Sequence, residues 1–271
     1  MSFETVTLRK EGRVGLIGLN RPEVLNAINP QMKAEFAEAL DRHMADEEVL
    51  VVVLHGSGRA FSAGFDLKAG EGAPTEGNLA WRARLRSSFD FIMQVWDAPK
   101  PSVAAVHGYC IAGAFELAMA CDMIVAEAGT RFGEPEVRFG SGLVAMLLPW
   151  MTTPKFAAEL MLTGEDRLDA ERAERMGLVN RVVPQGEGLA AALALAGQMV
   201  AADPVAVRLT RDAMHRGMDI AGMRQALEAA LETDVVIEGA VGPQREEFNR
   251  IRKAEGLKAA LAWRDAQFRK P

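Results

Sequence analysis

Three short segments of this chain carry residue types that can move protons or stabilise developing charge. The first runs His107-Gly108-Tyr109-Cys110-Ile111-Ala112-Gly113-Ala114-Phe115-Glu116-Leu117-Ala118-Met119-Ala120-Cys121-Asp122, and Glu116 is the one carboxylate in the apolar passage from Cys110 to Cys121. A carboxylate in such surroundings is costly unless it is paired, neutralised or put to use. Gly113 precedes it by three residues, at the expected start of a helix, where backbone N–H groups lack partners and negative charge is favoured. An amide so placed can stabilise an oxyanion. The plainer reading is that Glu116 satisfies the helix N-terminus as a capping residue.

The second segment, Arg59-Ala60-Phe61-Ser62-Ala63-Gly64-Phe65-Asp66-Leu67-Lys68, follows a strand-like run. In α/β folds, ligands bind beyond the carboxyl ends of strands. Ser62, Ala63 and Gly64 are small enough to let backbone approach a ligand, although a simple connecting loop has the same composition. The third, Arg131-Phe132-Gly133-Glu134-Pro135-Glu136-Val137-Arg138, sets two acids around a proline, which also reads as a solvated acidic turn.

Much other chemistry is excluded. No phosphate-binding Gly-x-x-x-x-Gly-Lys-Ser/Thr run and no Gly-x-Ser-x-Gly elbow occur. Gly12, Gly15 and Gly18 lie inside a strand pattern and open no helix, so they are not a dinucleotide fingerprint. His43, His55, His107 and His215 lack zinc-ligand spacing and read as structural or surface residues. The net charge of −6 argues against a general nucleic-acid binder. Cys110 and Cys121, the two cysteines, read as small buried hydrophobes and suit a reducing compartment. The N-terminus enters a strand pattern with no signal-peptide features, and no apolar run reaches the ~18 residues of a membrane span. A soluble, cytoplasmic protein with no membrane association is expected.

The elements that must position these segments follow from pattern. At 271 residues, with 49% hydrophobic and 25% charged residues, the chain has a globular balance and fits one large domain with a helical appendage. Strands are expected over Thr5 to Arg9 and Arg13 to Leu19, joined by a turn at Glu11-Gly12. A helix opens at Asn29-Pro30 and runs to about Ala45, with Met32, Phe36, Ala39 and Leu40 on one face. Leu50 to Leu54 is a strand buried on both faces, followed by a glycine-rich loop from Gly56 to Gly77. A helix from about Leu79 to Trp96, a strand over Val103 to Val106, a helix from Gly113 to Ala120 and a strand over Met123 to Ala126 complete a βαβα rhythm. That rhythm predicts a mostly parallel sheet. From about Pro154 the chain reads as helical, apart from Leu178 to Val183, and Arg245 to Phe268 reads as one charged amphipathic stretch.

In combination the segments resemble the enoyl-CoA hydratase/isomerase, or crotonase, family. The likeness runs from Leu19-Asn20-Arg21-Pro22 and Leu25-Asn26-Ala27, through the three segments above, to Leu162-Thr163-Gly164 and Ala173-Glu174-Arg175-Met176-Gly177-Leu178-Val179, nearly the whole chain. The resemblance implies an α/β fold, a crotonase-like spiral of ββα units over residues 1–200, with a helical oligomerisation region over 201–271. It implies Phe65 and Gly113 as the two oxyanion-hole amides, and Glu116 and Glu136 as the catalytic glutamates, while Glu134 aligns with no catalytic position. It places Ala63, Phe65, Asp66, Leu67 and Lys68 beside CoA. The implied activity is reversible hydration of a 2-enoyl-CoA, with no cofactor beyond the CoA carried by the substrate, no metal, and a homotrimer or dimer of trimers. Another CoA-ester reaction of the family (isomerase, decarboxylase or hydrolase) and a noncatalytic acyl-CoA-binding subunit stay open as alternatives. Leu143, Val144 and Met146 add bulk where the acyl pocket is expected, or else simply pack in the core. Arg82, Arg84 and Arg86 read as a solvated helix face, with CoA phosphates as their other possible partner.

Overall fold

The computed structural model describes residues 3–69, 77–240 and 242–268, so residues 70–76 of the expected glycine-rich loop and 241 and 269–271 of the C-terminal region lie outside it. In chain order the elements are β1 (Val6–Glu11), β2 (Val14–Leu19), α1 (Pro30–Ala45), β3 (Val51–Gly56), α2 (Gly77–Asp97), β4 (Ser102–Val106), β5 (Tyr109–Ile111), α3 (Gly113–Met119), β6 (Met123–Glu127) and β7 (Arg131–Gly133). After a short 3-10 turn at Glu136–Phe139 come α4 (Leu148–Met151), α5 (Pro154–Thr163), β8 (Leu168–Asp169), α6 (Ala170–Arg175), β9 (Arg181–Val183), α7 (Gly188–Ala201), α8 (Pro204–Ile220), α9 (Met223–Gly239), α10 (Pro243–Glu255) and α11 (Leu257–Phe268).

The main sheet has six strands in the order β1-β2-β3-β4-β6-β9. β1 and β2 form an antiparallel hairpin, and every later pairing in this sheet is parallel. β2 and β4 are buried along their whole length, which explains their unbroken apolar runs. On one face α1, α2 and α3 cover Ile17, Leu54, Ala104 and Val106; on the other, Ala192, Leu195 and Ala196 of α7 cover Leu16, Val53, Val103 and Val125. α1 starts where expected because Asn29 caps it, its side chain accepting from the Met32 N–H at 2.8 Å, with Pro30 in the first turn.

A second sheet, β5-β7-β8, is too short to show a period in the sequence. β5 pairs parallel with β7, so the two segments that bear Glu116 and Glu136 leave adjacent strands. The C-terminal stretch expected as one unit is two helices, because Gly256 at φ +89° breaks it. The two fold back on each other around Phe248, Ile251 and Ala260, with Phe139 and Trp263 packed against them. Among the described residues no single helix is long and apolar enough to cross a membrane.

α8 is fastened to the core by a buried polar knot. Arg211 donates from Nε to Asp122 at 2.8 Å, from Nη1 to the Ala98 carbonyl at 2.6 Å and from Nη2 to the Trp96 carbonyl at 2.9 Å. His215 lies 2.9 Å from Asp122 through Nε2 and stacks on Trp96 with ring centroids 3.8 Å apart. Burial raises the pKa of Asp122, but His215 and Arg211 outweigh it and the net shift is downward. The four histidines thus include structural ones, as the sequence suggests, and both cysteines are buried. Arg211→Ala should lower the unfolding free energy by about 3–5 kcal/mol, because it removes the guanidinium of a largely buried ion pair with Asp122 together with its bonds to the Trp96 and Ala98 carbonyls. Urea denaturation at fixed protein concentration measures this, and a loss below about 1 kcal/mol would contradict the arrangement.

Candidate active site

The loop after β3 is held by a clamp reaching from the segment after β2. Leu25 and Asn26 both take φ +54°, a conformation that asparagine tolerates better than most residues. The turn buries the Asn26 side chain, whose Nδ2 donates to the carbonyls of Ser57, Ala60 and Phe61 at 2.8, 2.9 and 3.1 Å. Ser62 Oγ donates back to the Asn26 carbonyl at 2.8 Å, and the Ala63 N–H donates to the Leu25 carbonyl. Arg21 Nη1 donates to the Ala27 carbonyl and to Asp66 Oδ2 at 2.9 Å.

This clamp places two amides side by side. Phe65 pairs with Ile28 through its neighbours: the Ile28 N–H donates to the Gly64 carbonyl and the Asp66 N–H to the Ile28 carbonyl. The Phe65 N–H is left aimed the other way. A bridge between Ser62 and Cys110 joins the loop to β5, and the Ala112 N–H donates to the Gly133 carbonyl at 2.8 Å. Ala112 then turns sharply at φ +56°, ψ −143° and presents the Gly113 N–H at the start of α3. Gly64 has φ +86°, and a Cβ there would lie 2.8 Å from Ala112 Cβ and 3.4 Å from the Gly113 nitrogen. A Cβ on Gly113 would meet the Phe65 ring at 2.3 Å. Among the described residues neither the Phe65 N–H nor the Gly113 N–H has an acceptor.

Acids gather behind the amides. Glu116, in the first turn of α3, is 1% exposed; its Oε1 accepts the Ala145 N–H at 3.2 Å and its Oε2 has no donor among the described residues. Glu136 heads the 3-10 turn, buried, with Oε2 also free of donors. Burial first, then the charge of Glu136, holds the Glu116 carboxyl well above the ordinary range, while the Ala145 N–H pulls the other way. Burial pushes Glu136 up to about 8, against its own backbone N–H, the neighbouring Glu134 and the charge of Arg264. Asp234 of α9 is buried against Gly142, and burial followed by Glu238 raises it to about 7, against Arg245 and the Gly142 N–H. Two acids this close do not ionise together readily, so the group holds protons at neutral pH.

Of the sequence candidates, Phe65, Gly113, Glu116 and Glu136 are thus brought together. Ala63 and Leu67 are half-buried in the clamped loop and Lys68 is exposed beside them. Asp66 is engaged with Arg21 and with the Lys68 N–H, so its carboxylate serves the loop itself. Asn26 entered the sequence reading only within the matching Leu25-Asn26-Ala27 segment, with no role assigned, and Asp234 was not singled out, since an acid in a long helix offers no signal. Arg82 and Arg86 pair with Glu232 and Glu228 of α9, so they are not merely a solvated face. Val144 and Met146 pack half-buried against the main core, and Leu143 is buried. A cleft of about 820 Å³ opens beside Phe65, with Lys33 and Arg84 on its walls. The Lys33 ammonium donates to Ser87 and Ser88, and burial, then Arg84, lowers its pKa.

Comparison with known proteins gives one consistent family. The family model described as enoyl-CoA hydratase/isomerase matches residues 9–260. The chain is 39% identical over 228 residues to a probable enoyl-CoA hydratase of Rhizobium meliloti (strain 1021), covering 81% of this chain and 84% of that protein. It is 34% identical over 224 residues to a short-chain-enoyl-CoA hydratase of Clostridium acetobutylicum, covering 80% and 84%. The solved structure of an enoyl-CoA hydratase/isomerase from Xanthobacter autotrophicus Py2 superposes with a TM-score of 0.96 at 47% identity, covering 99% of this chain and 100% of that one.

The turn at Ala112 is strained, since its φ and ψ are nearly reserved for glycine, at a cost of about 1–3 kcal/mol. Ala112→Gly should therefore stabilise the protein by about 1 kcal/mol after glycine's own entropic penalty. Gly64→Ala should destabilise it, because both its φ and its space refuse a Cβ. Chemical denaturation of both variants checks the pair, and a less stable Ala112→Gly variant would remove the strain argument.

Proposed function

The chain belongs to the enoyl-CoA hydratase/isomerase family, and from that membership we infer that it adds water reversibly across the double bond of a 2-enoyl-CoA thioester. The observation that carries the reading is the convergence of two acceptor-free amides, Phe65 and Gly113, with two buried carboxyls, Glu116 and Glu136. Attack at the β-carbon pushes electrons onto the thioester oxygen. Two fixed N–H groups stabilise that charge, each commonly worth about 3 kcal/mol in the transition state.

The carboxyls divide the proton work. Turnover needs one of them ionised and the other neutral, and because both hold their protons tightly the state with one proton between them is reached as pH rises. The ionised one takes a proton from water as its oxygen bonds to the β-carbon, and the neutral one gives its proton to the α-carbon. The same pair, with roles exchanged, runs the reverse elimination. This chemistry uses amides and carboxyls alone, with CoA arriving as part of the substrate. The clamped Ala63–Lys68 backbone and the cleft beside Phe65 supply room for the CoA arm, and Lys33 and Arg84 offer cations to an anionic ligand. Buried free thiols suit a reducing cytoplasmic setting.

A homotrimer or dimer of trimers is part of the same reading. Leu209 and Ile220 of α8 and Val236 of α9 stand exposed on the helical region, apolar surface that fits burial against further copies. Leu209→Asp should reduce the sedimentation mass of the purified protein.

The acid–base assignment is checked by Glu116→Gln and Glu136→Gln. Each should lower kcat by ~10²–10⁴ on the best enoyl-CoA ester of a panel varied in length and branching, read by loss of the conjugated thioester absorbance. Circular dichroism controls for folding, and near-normal turnover by either folded variant would refute the assignment. Loss of conjugation without incorporation of water would point instead to a double-bond shift.

A further inference from the structure

Glu136 sits on a turn that has little of its own to hold it. The 3-10 turn spans only Glu136–Phe139, has no side-chain cap and ends at Gly140 with φ +72°. Within it the Arg138 N–H donates to the Pro135 carbonyl at 3.0 Å and the Ser141 N–H to the Glu136 carbonyl at 3.0 Å. A single turn of this kind is marginal by itself. Glu116 differs, because it is carried by α3, every residue of which is buried.

The turn is held from outside, residue by residue. Arg138 donates from Nε to the Thr163 carbonyl at 3.1 Å and from Nη1 to Asp166 at 3.0 Å. Asp166 also accepts Arg264 Nη2 of α11 at 3.3 Å, and all three side chains are largely buried. Phe139 stacks on Phe248 of α10 with ring centroids 5.6 Å apart, and the Arg264 guanidinium lies 5.9 Å from the centroid of its ring. The Gly140 carbonyl accepts Arg245 Nη1 of α10 at 3.3 Å. Ser141 Oγ donates to Glu238 of α9, which also accepts from Arg245. Two polar clasps therefore grip the turn, Arg138–Asp166–Arg264 and Ser141–Glu238–Arg245, with Phe139 packed between them. Hydrogen bonds that carry charge are the stronger and more directional kind, so each clasp restricts where the turn can go.

We propose that the two clasps are positioning devices for Glu136: through Glu238, Arg245 and Arg264, the C-terminal helices fix the turn that carries this carboxyl and aim it at the substrate. The inference rests on Glu136 acting in the reaction proposed above. A reacting group displaced by about 1 Å can lose on the order of 10² in rate, so a clasp far from the bond that changes still governs turnover.

Ser141→Ala and Arg138→Gln each open one clasp and leave its buried acid paired with the remaining arginine, so both variants should fold. Each should lower kcat about tenfold and leave KM within about twofold. The decisive comparison repeats both changes in the Glu136→Gln background. A residue that acts through Glu136 has nothing left to position there, so neither change should lower the residual kcat further. An equal loss in both backgrounds, or an unaltered kcat in the wild-type background, overturns the proposal. A second readout needs no turnover. Hydrogen exchange at the Gly140 and Ser141 amides should be about tenfold faster or more in Ser141→Ala, with β2 and β4 unchanged. Unchanged exchange at the turn, or equal acceleration in the strands, overturns the proposal even if hydration is observed. A loosened turn in a protein that hydrates no ester would sink the hydratase reading and leave the clasps standing.

Discussion

Backbone segments 62–65 and 110–113 must approach more closely than side chains permit, and the site is arranged around that approach. Gly64 and Gly113 have no room for a Cβ, and Ala112 accepts a conformation that alanine avoids. The approach is enforced from outside. Asn26 and Ser62 tie the first segment to the turn after β2, and β5 ties the second to both the loop and β7. Strain of this kind persists only where the surroundings over-determine it. Here they do so with hydrogen bonds from three separate stretches of chain. The amides of Phe65 and Gly113 are therefore oriented before any ligand arrives, which is the condition for fixed dipoles to stabilise charge without reorganising.

The parts of the fold with a strong period were legible in the sequence. α1, β3, α2, β4 and β6 lie within a few residues of the expected positions, because each is long or fully buried and its pattern is unambiguous. The three-stranded sheet was not legible: β5, β7 and β8 have at most three residues each, and what makes them strands is pairing across the chain. The split between α10 and α11 was missed because apolar residues continue across Gly256. For the site, the motif residues Phe65, Gly113, Glu116 and Glu136 were visible from type, order and resemblance. The supporting residues were not. Asn26 acts through three carbonyls that no sequence pattern announces, Asp234 reaches the acids from a helix more than ninety positions away, and Arg82 and Arg86 find partners on α9.

The C-terminal helices thus do more than offer a surface. α9 brings Asp234 to the acids and takes Arg82 and Arg86 of α2, and α11 sends Arg264 toward Glu136 while it also bonds Asp166. The expected boundary between a core at 1–200 and a separate helical region at 201–271 does not isolate the chemistry, since the charge balance at Glu136 draws on residues from both sides of it.

Burying Glu116, Glu134, Glu136 and Asp234 also makes folding a proton-uptake reaction. Each carboxyl holds its proton more tightly in the folded chain than in the unfolded one. At neutral pH the unfolded chain has released these protons, and folding must take them back from solvent. Native stability consequently falls as pH climbs from the ordinary carboxylate range through about 7, where Asp234 gives up its proton, and about 8, where Glu136 does. Part of the heat measured on folding then belongs to the buffer that supplies those protons, so the calorimetric enthalpy of this protein changes with the ionisation enthalpy of the buffer it is dissolved in.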